Sequence, residues 1–124
     1  MKVNTKATNI GLTEAIEEYL EKHLILPVGR FVDTTDESAA LGIEVGKTTR
    51  HHHKGEIFRA EANLHVAGRN LRAESEREDL HAAIDDARDE LVRELTSYKK
   101  RKLGLLRRGG QKIKNFLKRF RNEP

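Results

Sequence analysis

The stretch Glu56-Ile57-Phe58-Arg59-Ala60-Glu61-Ala62-Asn63-Leu64-His65-Val66 places Phe58, Ala60, Ala62, Leu64 and Val66 on one side. Arg59, Glu61, Asn63 and His65 fall on the other. A period of two belongs to an extended strand, and the apolar/polar split predicts an antiparallel sheet with one buried and one wet face. Upstream, Ala39 to Thr49 repeats the pattern, with Leu41, Ile43 and Val45 inward and Glu44 outward. Downstream, Gly68 marks a tight turn, and Leu71 with Ala73 carries the inward face into a short last strand. Lys2 to Thr8 also alternates, with Val3, Thr5 and Ala7 on one side.

Two stretches change to helical spacing. Thr13 is a capping residue for a helix whose apolar positions Ile16, Leu20 and Leu24 recur every fourth residue. Pro27 and Gly29 predict that this helix ends near them, and Phe31 to Ser38 reads as a loop. Ser75-Glu76-Arg77-Glu78 has the form of a capping box, and behind it Leu80, Ile84, Ala87, Leu91, Leu95 and Tyr98 form one narrow apolar stripe. A long helix to about residue 102 is predicted, with Gly104 and Gly109-Gly110 breaking the chain beyond it.

The order is β-α-β-β-β-α, which predicts an α+β two-layer sandwich: a four-stranded sheet with two helices packed on one face. The first crossover is expected to be right-handed. With 124 residues there is room for one domain and a tail, drawn here as residues 1–102 and a basic, flexible C-terminal tail over 103–124.

Charge divides the chain the same way. Met1 to Tyr98 holds 13 Lys/Arg against 19 Asp/Glu, whereas Lys99 to Pro124 holds 11 basic residues against Glu123 alone. A basic arm on an acidic-to-neutral body is the pattern of a polyanion binder. Its residues Lys99, Lys100, Arg101, Lys102, Arg107 and Arg108 offer guanidinium forks and ammonium charges to phosphate and little that reads a base. Arg50 and Lys54 flank His51-His52-His53 in a strand-connecting loop and extend the same chemistry. The open sheet face mixes Arg59, His65 and Arg72 with Glu44, Glu61 and Glu74, so it is no uniformly basic platform.

Other classes find little support. Three consecutive histidines in a loop point in different directions, and neither an HExxH pattern nor a cysteine pair accompanies them, so no metal site and no cofactor is expected. Asp85 with Arg88 and Asp89 with Arg93 read as surface ion pairs of a solvated helix face, not as acid/base machinery. No nucleophile motif or phosphate-binding glycine loop is present, so an enzyme is not expected. The chain lacks a signal-like start and a membrane-spanning run, so a cytoplasmic location is the expectation. Ile113, Phe116, Leu117 and Phe120, among Lys112, Lys114, Lys118 and Arg119, leave a peripheral membrane anchor as an alternative. A generic binder of structured RNA is another.

Three pieces of sequence are familiar in combination. Asp79-Leu80-His81-Ala82-Ala83-Ile84-Asp85 continues through Leu91, Arg93 and Leu95 to Tyr98-Lys99-Lys100. Asn9-Ile10 precedes Thr13-Glu14-Ala15-Ile16, and Gly55-Glu56-Ile57-Phe58-Arg59-Ala60-Glu61 opens the third strand. Together, over roughly residues 2 to 102, they resemble the ribosome hibernation-promoting factors, also called ribosomal subunit interface or ribosome-associated inhibitor proteins. The resemblance implies a partner, the small ribosomal subunit and its rRNA. It implies lodging between head and body, where mRNA and tRNA anticodon ends pass, so that translation is inhibited sterically and idle ribosomes are protected. It carries RNA contacts onto Lys6, Lys22, Arg88, Arg93, Lys99, Lys100 and Arg101. His81 stands where the family commonly has Tyr, and Glu90 and Glu94 where Lys and Gln are frequent, which shifts the expected RNA contact toward residues 99 to 121. The chain resembles a short form without the dimer-forming domain, and is expected to be monomeric off the ribosome.

Overall fold

A computed structural model describes residues 1–48 and 55–106. Four strands, β1 (Lys2–Thr8), β2 (Ala40–Thr48), β3 (Ile57–Val66) and β4 (Arg69–Arg77), form one sheet in the order β1-β2-β3-β4. β1 is parallel to β2, so the connection between them must cross the sheet, and the other two pairings are antiparallel. Helical segments cover one face, as the α+β two-layer reading expects: α1 (Glu14–Leu20), a π-helical stretch (Glu21–Ile25), α2 (Leu26–Gly29) and the long α3 (Leu80–Leu106).

The alternation seen in sequence is the alternation of burial. Leu41, Ile43 and Val45 of β2, Ala60, Ala62 and Leu64 of β3, and Ala73 of β4 are buried. Against them pack Leu20, Leu24 and Val28 of the first helical run, and Ala83, Ile84, Ala87, Leu91 and Leu95 of α3. Alanine at the facing positions 60, 62, 73, 83 and 87 lets α3 lie close to the sheet. No polar or charged residue is buried among the described residues. Gly46 is required for a different reason: a Cβ there would stand 2.7 Å from the Thr8 carbonyl oxygen across the parallel β1–β2 pairing.

Two element boundaries differ from the sequence reading, the start of the last helix and the expected break at Gly104. Ser75-Glu76-Arg77-Glu78 does not cap a helix. β4 runs through Ser75 and Arg77, opposite Ala60 and Phe58, because pairing with β3 continues to Arg77. Asp79 opens α3 instead: its carboxylate accepts from the His81 N–H at 3.3 Å, and its carbonyl accepts from the Ala83 N–H at 3.1 Å. The first helical run ends at Gly29, as Pro27 and Gly29 predict, with Pro27 itself inside the run. The π-helical stretch hands over to α2 with Pro27 in its first turn, where a missing N–H is tolerated. α3 passes Gly104 and reaches Leu106, the last described residue, because a glycine within a helix costs only about 1 kcal/mol. The segment boundary drawn after Lys102 therefore falls inside α3. Thr13 caps α1 as its sequence position indicates, accepting the Ile16 N–H at 3.2 Å.

Candidate nucleic-acid interface

The open sheet face is self-neutralised. Arg59 reaches Glu61 at 2.7 Å, Glu74 at 3.0 Å and Glu44 at 3.8 Å, while Arg72 reaches Glu61 and Glu74 at 2.8 Å each. The Glu74 and Glu61 carboxylates raise the Arg59 guanidinium further above its usual range. Burial acts to raise Glu61, yet hydrogen bonds from Asn63, Arg59 and Arg72 hold its carboxyl below the ordinary carboxylate range. Glu74 is lowered first by its bond from Arg59. With so many charges spent on one another, this face offers little to an external polyanion, in line with its mixed sequence.

Excess positive charge collects on the flank where α3 runs beside β4. A hollow of about 440 Å³ is lined by Arg69 and Arg72 from β4 and by Arg93, Glu94, Ser97 and Arg101 from α3. Arg93, Ser97 and Arg101 are spaced i, i+4, i+8, so they descend one side of the helix. Arg69 directly follows the Ala67-Gly68 turn, and its guanidinium lies 4.6 Å from the centre of the Tyr98 ring, a cation–π contact that fixes it at the groove wall. Lys100 is exposed one position before Arg101. Lys99 lies 4.9 Å from the Phe31 ring centre, on the side of α3 toward the first helical run. Arg72 at the rim is already paired with Glu61 and Glu74, but the guanidinium groups of Arg69, Arg93 and Arg101 share the hollow with a single lining carboxylate, Glu94, and repel one another unless an anion sits among them.

The remaining sequence-predicted residues divide into three groups. Lys6 is exposed on edge strand β1, away from the arginine groove. Lys22 is exposed in the π-helical stretch and is paired with Glu18 at 2.9 Å. Arg88 is only 25% exposed and clamps two elements together. Its Nη1 donates to the His23 carbonyl at 3.4 Å and lies 3.5 Å from Asp85, while Nε donates to Asp89 at 3.0 Å. Pro27 cannot donate to that His23 carbonyl as an α-helix would require, and Arg88 does so in its place. Asp89 thus pairs with Arg88, not with Arg93 as its spacing suggested, which leaves Arg93 to the groove. Arg50, Lys54, Arg107 and Arg108 lie outside the described residues, as do His51-His52-His53 and the amphipathic set at residues 113–120. Lys102 contributes its backbone to α3.

Sequence reasoning passed over Arg69, and it placed Arg72 only on the sheet face. The one-dimensional signal was a basic residue next to a glycine turn, which by itself does not show that β4 lies against the C-terminal half of α3. Among the described residues no group of His, Cys, Asp and Glu is arranged to hold a metal, and no helix is long and apolar enough to cross a membrane.

The chain is 30% identical to the ribosome hibernation promoting factor of Azotobacter vinelandii, over 83% of this chain and 87% of that protein. It is 29% identical to the ribosome hibernation promoting factor of Escherichia coli K12, over 80% of this chain and 94% of that one. Its fold superposes on the N-terminal domain of Protein Y from Thermus thermophilus with a TM-score of 0.60 and 29% identity, over 79% of this chain and 99% of that domain. Residues 3–103 match the Sigma 54 modulation protein / S30EA ribosomal protein family. The matched span begins in β1 and ends in the last turn of α3, so it takes in every described element, and the chain belongs to that family.

Proposed function

We propose that this protein binds the small ribosomal subunit through its rRNA and inhibits translation by filling the mRNA and tRNA decoding region between head and body, which also protects the idle ribosome. Membership in a ribosomal protein family and relatives named as hibernation promoting factors support a ribosome-associated inhibitory role. The observation that carries the RNA contact is the groove in which Arg69, Arg93 and Arg101 meet between β4 and α3. Guanidinium forks suit phosphate oxygens, and α3, 27 residues and about 40 Å long, is a rigid rod on which to space them along an RNA backbone.

The mechanism needs no chemical step. A wedge held by phosphate contacts excludes mRNA and tRNA by volume, and leaves when competing ligands or salt remove those contacts. The protein acts in the cytoplasm as a monomer off the ribosome, without cofactor or small-molecule substrate. Lys99 and Lys100 extend the contact along α3, and Lys6 and Lys22 contribute from other faces. Sedimentation with purified small subunits tests the reading. The protein should comigrate with them at moderate salt and be displaced by a leadered mRNA together with initiator tRNA. Comigration that neither ligand disturbs would overturn the decoding-region location.

A further inference from the structure

The second notable cluster lies where the first helical run meets the N-terminal half of α3, apart from the arginine groove. The Tyr19 ring is sandwiched between two imidazoles: His23 at 4.0 Å and 13° on one side, His81 at 4.0 Å and 9° on the other. Three parallel rings thus come from α1, the π-helical stretch and α3. Tyr19 Oη donates to both carboxylate oxygens of Asp85, at 2.8 and 2.9 Å. Asp85 in turn faces Arg88 Nη1 at 3.5 Å and His23 Nδ1 at 3.9 Å. Burial first, and Asp85 second, push the Tyr19 phenol up to about 12, so it remains a neutral donor locked to Asp85.

We infer that Tyr19, His23 and His81 form a prepared stacking platform for an unpaired RNA base. The inference rests on the RNA-binding reading above and names a contact that phosphate-binding arginines do not supply. The central ring has both faces covered, so the stack extends outward only from its imidazoles. His81 is exposed, the His23 side chain is 42% exposed, and no other ring covers either one among the described residues. Beside them lies a hollow of about 280 Å³ lined by Ala15, Glu18, Tyr19, Lys22, His23 and His81. Its rim carries the Lys22–Glu18 ion pair at 2.9 Å, which an incoming nucleotide would have to open for Lys22 to meet the flanking phosphate and Glu18 the base N–H donors. Half-exposed rings normally keep rotamer freedom, and fixing three of them in advance removes that ordering cost from binding. A π-helical segment at this position is the kind of local irregularity that often marks a functional surface. Stacking of a base on an aromatic platform tolerates any base identity, which matches a protein with few groups suited to reading sequence.

The test titrates the full chain with a short single-stranded RNA carrying 2-aminopurine at its centre, alongside sedimentation with small subunits. Wild type should quench the probe at saturation. His81→Leu, which keeps apolar cover on Tyr19 but removes the outer π face, should bind the RNA at least about fivefold more weakly and lose the quench. His81→Phe should restore both. Arg93→Gln with Arg101→Gln should weaken binding yet keep the quench at saturating protein, which separates the platform from the groove. A wild-type complex without quenching, or equal affinity and quench in His81→Leu, would overturn the platform even if small subunits are bound normally. Quenching by a protein that small subunits ignore would support the platform and overturn the ribosomal reading.

Discussion

Ala67 shows how a single residue can stand against its own backbone. It occupies φ +50° in the two-residue β3–β4 turn, with Gly68 at +74°, the conformation of a hairpin turn that favours Asn-Gly. An alanine there costs about 1 kcal/mol in Cβ–carbonyl crowding. Its N–H donates to Asp36 Oδ2 at 3.3 Å, a backbone bond that any side chain permits. Ala67→Asn should therefore stabilise the fold by about 1 kcal/mol, seen as a rise of a few degrees in thermal midpoint. The carboxylates paired with arginine on the sheet, Glu61 and Glu74 on its open face and Asp86 of α3, provide a second test. Glu61, Glu74 and Asp86 are all held below their ordinary values: Glu61 by hydrogen bonds that outweigh its burial, Glu74 first by Arg59 and Asp86 first by Arg77. Their stabilising effect is complete above the unfolded carboxylate range and is lost as pH falls through about 4 and below. Glu61 is the least exposed of the three at 15%, so solvent screens it least. Denaturant titrations from pH 6 to 3 should show stability falling with acid, and Glu61→Gln should start lower and fall less steeply. Parallel curves would place the acid sensitivity elsewhere.

At the scale of the element, the sequence was most legible where one periodicity governed a whole segment. The inward positions of β2 and β3 and the stripe from Leu80 to Leu95 could be read residue by residue, because burial on one face imposes period two or period 3.6 without knowledge of neighbours. The helix boundaries were less legible, since each depended on a tertiary partner. Ser75 and Arg77 look like a capping sequence in isolation, but their side chains meet Asp86 in the second turn of α3, at 3.1 and 2.5 Å, because β3 has already claimed their backbone. Pro27 and Gly29 marked the end of the first helical run, but that Arg88 supplies the donor Pro27 lacks for the His23 carbonyl depends on α3. Arg69 looked irrelevant because its proximity to Arg93 and Arg101 is a property of how β4 lies on α3. The stripe itself can be tested through Ile84, which is fully buried between sheet and helix. Ile84→Ala should cost about 2–5 kcal/mol in equilibrium unfolding, with the upper end expected where alanines already fill the facing positions and have no bulk to collapse inward.

The whole molecule separates its charges by face, and this segregation determines how it can attach to RNA. The sheet's open face pairs Arg59 and Arg72 with glutamates, the α1–α3 seam pairs Arg88 with Asp85 and Asp89, and Arg69, Arg93 and Arg101 in the β4–α3 groove face solvent with Glu94 as the single lining acid. Electrostatic attraction is therefore directional, and a rod-like helix presents it along a line. Neutralising one phosphate contact should lower the slope of log affinity against log salt by about one, whereas losing an internal ion pair changes stability with little effect on that slope. Arg93→Gln with Arg101→Gln should therefore weaken small-subunit binding by at least about tenfold near physiological salt and flatten the salt slope by about two. Arg59→Gln, whose guanidinium is consumed by three glutamates, should lower unfolding stability and leave the slope unchanged. If the two variants shift the slope equally, binding follows net charge alone and the groove has no privileged role. If only the α3 pair moves it, the β4–α3 flank is the side of the wedge that faces rRNA.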